Sequence, residues 1–256
     1  MSDQFIYFVC VKGNRDILKK EIEQRFKFLT PSFSKGDFLT YKNQKTPLTQ
    51  KEIRQLKLAF ALDWGESIGK LSNEAIEQKL KIKERDLEYP EESPSRAYLK
   101  ILQTCNVFKI EANKDTNWIE FGSAPGGACY YLLNNFGNVC GVDPAVMDEI
   151  CLKNERFIHM QEPVQNLSQE MLPDYDVHYI TSDLNINPKQ GIKEVIRLSK
   201  KYKSLKGIFY TVKLVKTDHL KVLEEFKEVF QNYGFKRVGF VQLSAHKRET
   251  LLYGLN

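Results

Sequence analysis

Charged residues close three of the apolar segments in this 256-residue chain. Asp143, Asp183 and Lys213 each follow a run with the composition of a buried strand. Ligands of open α/β sheets bind outside the carboxyl ends of the strands, so these are the informative positions. A lysine that ends a buried run costs free energy unless it reaches a cleft or a charged partner, although it can also snorkel to the sheet rim. The succession of Asp183 and Lys213 favours a polar site over a snorkelling lysine.

A glycine-rich turn joins an earlier predicted strand, residues 118–121, to a predicted helix. The turn consists of Gly122, Ser123, Ala124, Pro125, Gly126 and Gly127. Glycines let the backbone approach a ligand closely, and free N–H groups at a helix N-terminus face it. The spacing G-x-x-x-G-G differs from the G-x-G-x-x-G of dinucleotide enzymes and from the Walker loop. The turn therefore predicts a ligand cradle of another kind.

Asp143 lies 21 residues after Gly122, at the end of the next predicted strand. An acid at this place can accept hydrogen bonds from both hydroxyl groups of a ribose. The alternative is a cap for the following helix, in which Pro144 would take the first helical position. The agreement between the glycine turn and this spacing favours ribose binding.

The composition is that of a globular protein, with 42% hydrophobic and 28% charged residues. A net charge of +5 permits binding to nucleic acid without requiring it. The five cysteines show no C-x-x-C spacing, which predicts free, mostly buried thiols, a reducing compartment and no zinc site. The apolar run 5–11 is too short for a signal peptide, and no segment reaches transmembrane length. We therefore expect a soluble cytoplasmic protein without a membrane attachment.

Shifts in pattern divide the chain into two domains. Residues 1–85 predict a small α/β domain, residues 86–95 an acidic, proline-containing linker, and residues 96–256 a second domain. In the first domain, Asn14 is the predicted cap of the first helix, and Pro31 and Gly36 bracket a predicted loop. The predicted strands there are 5–11, 37–42 and 58–64, and the predicted helices are 15–26, 49–56 and 74–82.

The second domain alternates between strands and helices, which is typical of βαβ units and a mainly parallel sheet. The predicted strands are 117–121, 138–142, 156–160, 175–182, 206–213, 236–243 and 249–254. The predicted helices are 95–111, 126–135, 145–151, 190–202 and 217–232. Only a few residues join the last two strands, which predicts an antiparallel hairpin at one edge of a seven-stranded sheet.

Five motifs occur in the order found in a known family. They are Ser95-Arg-Ala-Tyr-Leu-Lys100, Glu120-Phe-Gly-Ser-Ala-Pro-Gly-Gly127, Ser182-Asp183, Val212-Lys213-Leu214 and His246-Lys-Arg-Glu249. With these motifs, residues 90–256 resemble the S-adenosylmethionine-dependent RNA ribose 2′-O-methyltransferases of the FtsJ/RrmJ type. Among these, the resemblance favours the RlmM-type branch, which methylates a cytidine of 23S ribosomal RNA. It implies a Rossmann-like methyltransferase fold, S-adenosylmethionine as cofactor, and RNA, ribosomal RNA in particular, as partner.

The resemblance also implies site residues. The family's Lys-Asp-Lys-Glu catalytic tetrad falls on Lys100, Asp183, Lys213 and Glu249. Its cofactor-binding positions fall on Glu120, Gly122, Ser123, Ala124, Pro125, Gly126, Gly127, Asp143, Gln161 and Asp183. Gln161 is included because Pro163 stands where the family has an acid that contacts adenine, and Glu162 is the alternative. The N-terminal 85 residues resemble, more faintly, the ferredoxin-like or THUMP-like RNA-binding domains attached to such enzymes.

The implied chemistry is an in-line methyl transfer that requires no metal, because a sulfonium methyl group is already activated. Lys213 is the predicted general base for the ribose hydroxyl, and the other tetrad members orient it. The alternatives are methylation of another RNA, such as transfer RNA or a cap, and a catalytically silent RNA-binding module of the same fold. A nicotinamide-dependent oxidoreductase is disfavoured because G-x-G-x-x-G is missing. The sequence leaves the oligomeric state open.

Overall fold

The computed structural model describes residues 3–67, 69, 76, 88–213 and 220–256. The chain divides into two compact units. The first unit comprises Met1–Leu87, Leu214–Lys221 and Phe240–Leu251, and the second comprises Glu88–Lys213, Val222–Gly239 and Leu252–Asn256. Across the described ranges, no helix combines the length and the hydropathy needed to cross a bilayer.

The N-terminal region forms a small antiparallel sheet with a β-α-β-β-α-β element order. Its elements are β1 (Phe5–Val9), α1 (Arg15–Arg25), β2 (Leu29–Lys35), β3 (Phe38–Asn43), α2 (Gln50–Arg54) and β4 (Asp63–Glu66). The strands lie in the order β2-β3-β1-β4, and every neighbouring pair is antiparallel. This is the ferredoxin-like arrangement, so the prediction of a small α/β domain of that type is confirmed.

Strand β2 corrects the predicted loop between Pro31 and Gly36. The strand lies at the edge of the sheet and is largely exposed, so its sequence lacks an apolar alternation. Its register with β3 shifts between Pro31 and Phe33. Proline is tolerated at such an edge or bulge, because no ladder hydrogen bond is lost there.

The predicted strand 58–64 is wrong over residues 58–62, because β4 begins only at Asp63. Residues 58–61 are buried without strand pairing. The buried carboxylate of Glu21 accepts the N–H groups of Ala59 at 2.7 Å and Phe60 at 3.1 Å, so these donors are satisfied away from any ladder. The predicted helix 74–82 lies outside the described residues, apart from Ile76, which is helical.

Residues 97–255 form the larger sheet and its helices, and most of them belong to the second unit. The elements are α3 (Ala97–Phe108), β5 (Trp118–Phe121), α4 (Gly127–Asn135), β6 (Val139–Val142), α5 (Glu149–Leu152), β7 (Phe157–Met160), a 3-10 turn (Val164–Asn166), β8 (Tyr179–Ser182), α6 (Pro188–Ser199), β9 (Gly207–Lys213), α7 (Leu220–Tyr233), β10 (Arg237–Val241) and β11 (Glu249–Leu255). Their sheet order is β10-β11-β9-β8-β5-β6-β7.

Strands β7, β6, β5, β8 and β9 run parallel to one another. The end of β11 lies beside the start of β9, since the Asn256 N–H donates to the Lys206 carbonyl oxygen at 3.0 Å. The two strands are therefore antiparallel. The prediction of a mainly parallel, seven-stranded sheet closed by a C-terminal hairpin is confirmed, and the fold is the Rossmann-like methyltransferase fold.

Aromatic side chains of β5, β8 and β9 stack on one another across the three strands. The Trp118 ring lies 4.7 Å from the Tyr179 ring and 6.2 Å from the Phe209 ring, measured between centroids. Residues Phe121 and Ser182 are partners in the β5–β8 register, and Ser182 and Tyr210 are partners in the β8–β9 register. The register thus brings the segments that follow β5 and β8 to the same edge of the sheet.

The loop after β6 differs from the predicted helix 145–151. Helix α5 begins only at Glu149, and the Asp148 side chain caps it by accepting the Ile150 N–H at 2.9 Å. The predicted strand 175–182 is also shorter, because β8 begins at Tyr179. Residues 176 and 178 are held instead by hydrogen bonds to Asn117.

Candidate active site

Three of the predicted catalytic residues form one chain of ion pairs. Lys100 lies on α3, Asp183 directly follows β8, and Lys213 is the last residue of β9. The Lys100 Nζ donates to Asp183 Oδ2 at 2.8 Å, and the Lys213 Nζ lies 3.0 Å from Asp183 Oδ1. One carboxylate therefore bridges two ammonium groups from two other elements.

The Asp183 carboxylate is largely buried, with 18% of its side chain exposed. Burial by itself raises the pKa of Asp183, but the ammonium groups of Lys100 and Lys213 outweigh this effect, so the pKa is lowered from its usual value. Asp183 is therefore an anion at neutral pH. It can hold both lysine side chains in fixed positions.

Asn185 joins the same cluster and is absent from the sequence predictions. The Lys213 Nζ donates to Asn185 Oδ1 at 2.9 Å and to the Asp183 carbonyl oxygen at 3.1 Å. The ammonium group thus makes two hydrogen bonds, and its third neighbour, Asp183 Oδ1, is an ion-pair partner without hydrogen-bond geometry. Asn185 lies in a polar loop, and only the fold shows that this loop turns back towards β9.

The glycine turn adjoins this cluster at Gly122. The residue has a φ of +82°, and a Cβ atom there would lie 2.8 Å from the carbonyl carbon and oxygen of Asp183. The Asp183 N–H donates to the Phe121 carbonyl oxygen at 2.9 Å. Residue 122 must therefore lack a side chain, because the backbone after β5 and the backbone after β8 are in close contact here.

The other two glycines of the turn face protein neighbours. A Cβ atom on Gly126 would lie 2.8 Å from Cys151 Sγ and Met147 Sδ, and one on Gly127 would overlap the Ser95 carbonyl and hydroxyl oxygens. Helix α4 starts from this close contact. The two glycines thus let α4 pack against its neighbours, which is a structural reason for glycine that holds without any ligand.

Asp143 holds the loop after β6 against the glycine turn. Its Oδ2 accepts the Ala124 N–H at 3.2 Å, and its Oδ1 accepts the Ala145 N–H at 2.8 Å. Asp148 caps α5, so the alternative reading of Asp143 as a helix cap is wrong. Each carboxylate oxygen has two lone-pair directions and uses one for these bonds. Both oxygens can therefore accept a further hydrogen bond from a bound hydroxyl group.

Gln161 lies just after β7, and its side chain reaches the same loop. The Gln161 Nε2 is 3.5 Å from the Pro144 carbonyl oxygen. Glu162, the alternative, instead accepts the Asn166 side-chain amide at 3.2 Å. Gln161 therefore approaches the loop that follows Asp143, whereas Glu162 contacts the turn that follows β7.

Glu120 is buried within β5, and its carboxyl group accepts the Cys129 thiol at 3.8 Å. Burial raises the pKa of Glu120 well above its usual value, and the negative charge of Asp183 raises it further. All five cysteines are free and buried, as predicted. Within the described ranges, no group of three His, Cys, Asp or Glu side chains is placed to hold a metal ion.

Glu249, the fourth predicted tetrad member, is the first residue of β11 and belongs to the first compact unit. The triad residues Lys100, Asp183 and Lys213 belong to the second unit. The participation of Glu249 in the site stays a prediction.

This fold, with a bare glycine turn after its first parallel strand and an acid after the next, defines the class of Rossmann-like methyltransferases. Residues 94–249 match a family described as FtsJ-like methyltransferase, and the chain belongs to that family. No curated protein sequence matches the chain.

Solved structures share the fold at low sequence identity. Two are described as "putative hemolysin", one from Lactococcus lactis and one from Streptococcus thermophilus. The first is 18% identical with a TM-score of 0.52, over 65% of this chain and 89% of its own. The second is 19% identical with a TM-score of 0.52, over 64% of this chain and 67% of its own. Aeropyrum pernix fibrillarin, in complex with natively bound S-adenosyl-L-methionine, is 13% identical with a TM-score of 0.49, over 62% of this chain and 76% of its own.

Membership of the family makes S-adenosylmethionine the cofactor, and the residues present fit this molecule. The carboxylate of Asp143 can accept ribose hydroxyl groups, as its free lone pairs show. The Ser123 hydroxyl is buried in the turn and has no hydrogen-bond partner among the residues that the structure describes. A buried polar group without a partner is costly, so a ligand that satisfies it is favoured. The turn and Asp143 are the residues that would hold the cofactor.

Proposed function

We propose that the chain transfers the methyl group of S-adenosylmethionine to a ribose 2′-hydroxyl group of RNA. The observation that carries this proposal is the Lys100–Asp183–Lys213 chain of ion pairs next to the bare backbone of Gly122. A ribose hydroxyl is a weak nucleophile, so its methylation needs a positioned base and fixed charges. The resemblance to RlmM-type enzymes supports a cytidine of 23S ribosomal RNA as the target.

The bound cofactor supplies a sulfonium methyl group, which is electrophilic without a metal. In the proposed reaction, Lys213 would act as the neutral amine, after its ammonium group has released one proton to solvent. Its nitrogen would then accept the proton of the 2′-hydroxyl group as the oxygen bonds to the methyl carbon, and the electron pair of the broken methyl–sulfur bond would stay on the cofactor's sulfur. Asp183 favours the ammonium ion that forms, because its carboxylate lies 3.0 Å from the Lys213 Nζ. Lys100 holds the other oxygen of Asp183 and so fixes the direction of the carboxylate. Asn185 gives Lys213 a further hydrogen bond that limits its rotamers.

The N-terminal ferredoxin-like region is the proposed RNA-binding part. Its fold places two helices beside a four-stranded sheet, and small domains of this type bind nucleic acid in many proteins. The net charge of +5 is compatible with phosphate contacts.

The direct test is Lys213→Ala in purified protein. We expect methyl transfer to RNA to fall by at least about 100-fold, which is the usual contribution of a general base, while calorimetric affinity for S-adenosylmethionine changes little. Lys189→Ala is the matched control, because Lys189 forms an exposed ion pair with Glu225 and should retain full activity. Turnover of Lys213→Ala within a few-fold of the wild type would remove Lys213 from the role of base.

The target is tested by mapping 2′-O-methyl groups in total RNA from cells with and without the gene. Loss of one site in 23S ribosomal RNA is the expected result. Loss of a site in transfer RNA or in a cap would redirect the proposal to that RNA. Unchanged maps, together with RNA binding by the purified protein, would instead favour a silent binding module.

A further inference from the structure

Asn14 makes long-range contacts that a helix cap does not need. It directly precedes α1 and is completely buried, but its side chain caps no N–H group of that helix that the structure describes. Asn14 thus takes the predicted N-cap position, but without a side-chain bond to the helix. Its Nδ2 donates to Gln242 Oε1 at 3.3 Å, and its Oδ1 accepts the backbone N–H of Arg248 at 2.9 Å. The amide therefore joins the N-terminal region to both sides of the turn between β10 and β11.

Arg248 has an unusual backbone conformation at this contact. Its φ is +54°, in the left-handed region that non-glycine residues seldom adopt. Such a conformation persists only where surrounding contacts hold it. The hydrogen bond from the Arg248 N–H to Asn14 is a contact of this kind, and Glu249 is the next residue in the chain.

The residue after Glu249 is held by the same N-terminal region. Thr250 is completely buried, and its Oγ1 donates to the Ala59 carbonyl oxygen at 2.7 Å. Ala59 is in turn fixed by the buried carboxylate of Glu21. Glu249 itself is only half-buried. The residues on both sides of Glu249 are thus anchored by the N-terminal region.

We propose that Asn14 is a positioning residue, which sets the backbone direction from which the Glu249 side chain extends. In this view, the N-terminal region contributes to the catalytic set as well as to RNA binding. The proposal rests on the proposed function, because it takes Glu249 to be a member of that set. The residues Asn14, Gln242, Arg248 and Thr250 all belong to one compact unit, so the contacts are internal to it.

The first test measures the backbone and needs no activity. In Asn14→Ala, hydrogen exchange of the amide groups of residues 248–250 should accelerate by at least about tenfold, because the Arg248 N–H loses its acceptor. Asn43→Ala is the matched control. Asn43 is also buried in this unit, but it contacts Gln4, Thr46 and Lys45 and should leave exchange at 248–250 unchanged. Equal exchange at 248–250 in the wild type and Asn14→Ala would overturn the proposal.

The second test asks whether Asn14 acts through Glu249. We expect Asn14→Ala to lower kcat by roughly 10- to 100-fold, the scale that a misplaced group costs, with affinity for S-adenosylmethionine within about twofold of the wild type. In a Glu249→Gln background, the same change should cost less than about twofold, because coupled residues are not additive. A full additional loss in that background would show that Asn14 acts elsewhere and would overturn the proposal.

A third variant tests the conformational step. Arg248→Gly permits the left-handed conformation without strain, so Asn14→Ala should lose less activity in this background than in the wild type. An equal loss in both backgrounds would contradict the role given to Arg248. If Asn14→Ala does not fold, Asn14→Ser replaces it, because its hydroxyl is one bond shorter than the amide, and the same outcomes apply.

The failure of this inference can be told apart from failure of the proposed function. A wild-type protein that binds S-adenosylmethionine but methylates no RNA counts against the proposed function alone. An active wild type and an active Asn43→Ala, with an equally active and equally protected Asn14→Ala, count against the inference alone.

Discussion

Replacing Asp183 by Asn removes the negative charge that two lysines share, while it keeps the size of the side chain. The side chains of Lys100, Asp183 and Lys213 are only 22%, 18% and 24% exposed, so water cannot fully replace the lost partner. Breaking a buried ion pair by removing one member typically costs about 3–5 kcal/mol. Because about a fifth of each side chain is exposed, we expect a smaller loss of unfolding free energy, about 2–3 kcal/mol.

The repulsion between the two lysines gives a similar magnitude. The carboxylate oxygens lie 2.8 Å and 3.0 Å from the two Nζ atoms, so these atoms are no more than about 8 Å apart. Two unit charges at that separation repel each other by about 2 kcal/mol at an effective dielectric constant of 20. In the wild type, the Asp183 charge cancels this repulsion.

The assay is urea unfolding followed by the fluorescence of Trp118 in a Trp64→Phe background. The chain has two tryptophans, and Trp118 is the one in β5 of the second unit. At a typical slope of about 2–3 kcal/mol per molar urea, the midpoint of Asp183→Asn should fall by roughly 1 M. The matched control is Asp174→Asn. Asp174 pairs with Lys201 at 2.7 Å but is 97% exposed, so its loss should cost less than about 0.5 kcal/mol.

The difference between the wild type and Asp183→Asn should also depend on pH in one direction. The pKa of Asp183 is lowered in the folded state, so its charge stabilises the protein fully above the unfolded value of about 3.9. This stabilisation is lost as the pH falls through the lower, folded-state pKa. The difference should therefore be constant from about pH 5 to pH 8 and close below about pH 4. Equal, small effects of Asp183→Asn and Asp174→Asn at pH 7 would refute the reasoning.

Three further variants probe the cofactor turn and its support. Gly122→Ala should lower the unfolding free energy by about 1–2 kcal/mol because of its positive φ, and by more because its Cβ would lie 2.8 Å from backbone atoms; it should also weaken S-adenosylmethionine binding at least about tenfold in calorimetry. Gly234 also has a positive φ but no neighbour near its Cβ position among the described residues, so Gly234→Ala should show only the conformational cost. An equal effect of the two substitutions would contradict the argument from the backbone contact. Glu120→Gln should become more stable relative to the wild type as the pH rises above about 4.3. Burial raises the pKa of Glu120 in the folded state, so above that pH the unfolded wild type releases a proton that the folded wild type retains, and the wild type loses unfolding free energy. A difference in unfolding free energy between the two proteins that does not change with pH would disprove this. Asp143→Asn should weaken S-adenosylmethionine binding by about 10- to 100-fold, because the carboxylate that accepts hydrogen bonds from the ribose hydroxyl groups loses its charge. The control is Asp148→Asn, which should bind S-adenosylmethionine normally, because asparagine is also a good cap for α5.

The sequence predicts best what depends on neighbouring residues in the chain. Asp183 and Lys213 each follow an apolar run, and parallel strands bring their carboxyl ends together, so the closeness of these two side chains was predictable. Lys100 required the family resemblance, because a helical lysine carries no local sign of its partner. The seven-stranded sheet followed from regular alternation of strand and helix patterns.

What the sequence could not reveal depends on contacts between distant segments. The glycines at 126 and 127 indicate a ligand cradle by their spacing, but the structure gives them close protein neighbours. The edge strand β2 has no apolar alternation because it has little buried surface. Asparagine is a common N-cap residue, and only the fold shows that the Asn14 side chain forms hydrogen bonds with residues more than 220 positions away.

The hydrogen bond between Asn14 and Arg248 can form only late in the synthesis of this chain. The two residues are separated by 234 positions, so the ribosome, at about 5–20 residues per second, adds Arg248 roughly 12 to 47 s after Asn14. The N-terminal region, although synthesised first, lacks one of its buried hydrogen-bond partners until residue 248 has been added. The proposed positioning of Glu249 by Asn14 can therefore begin only after residues 248–250 have been synthesised.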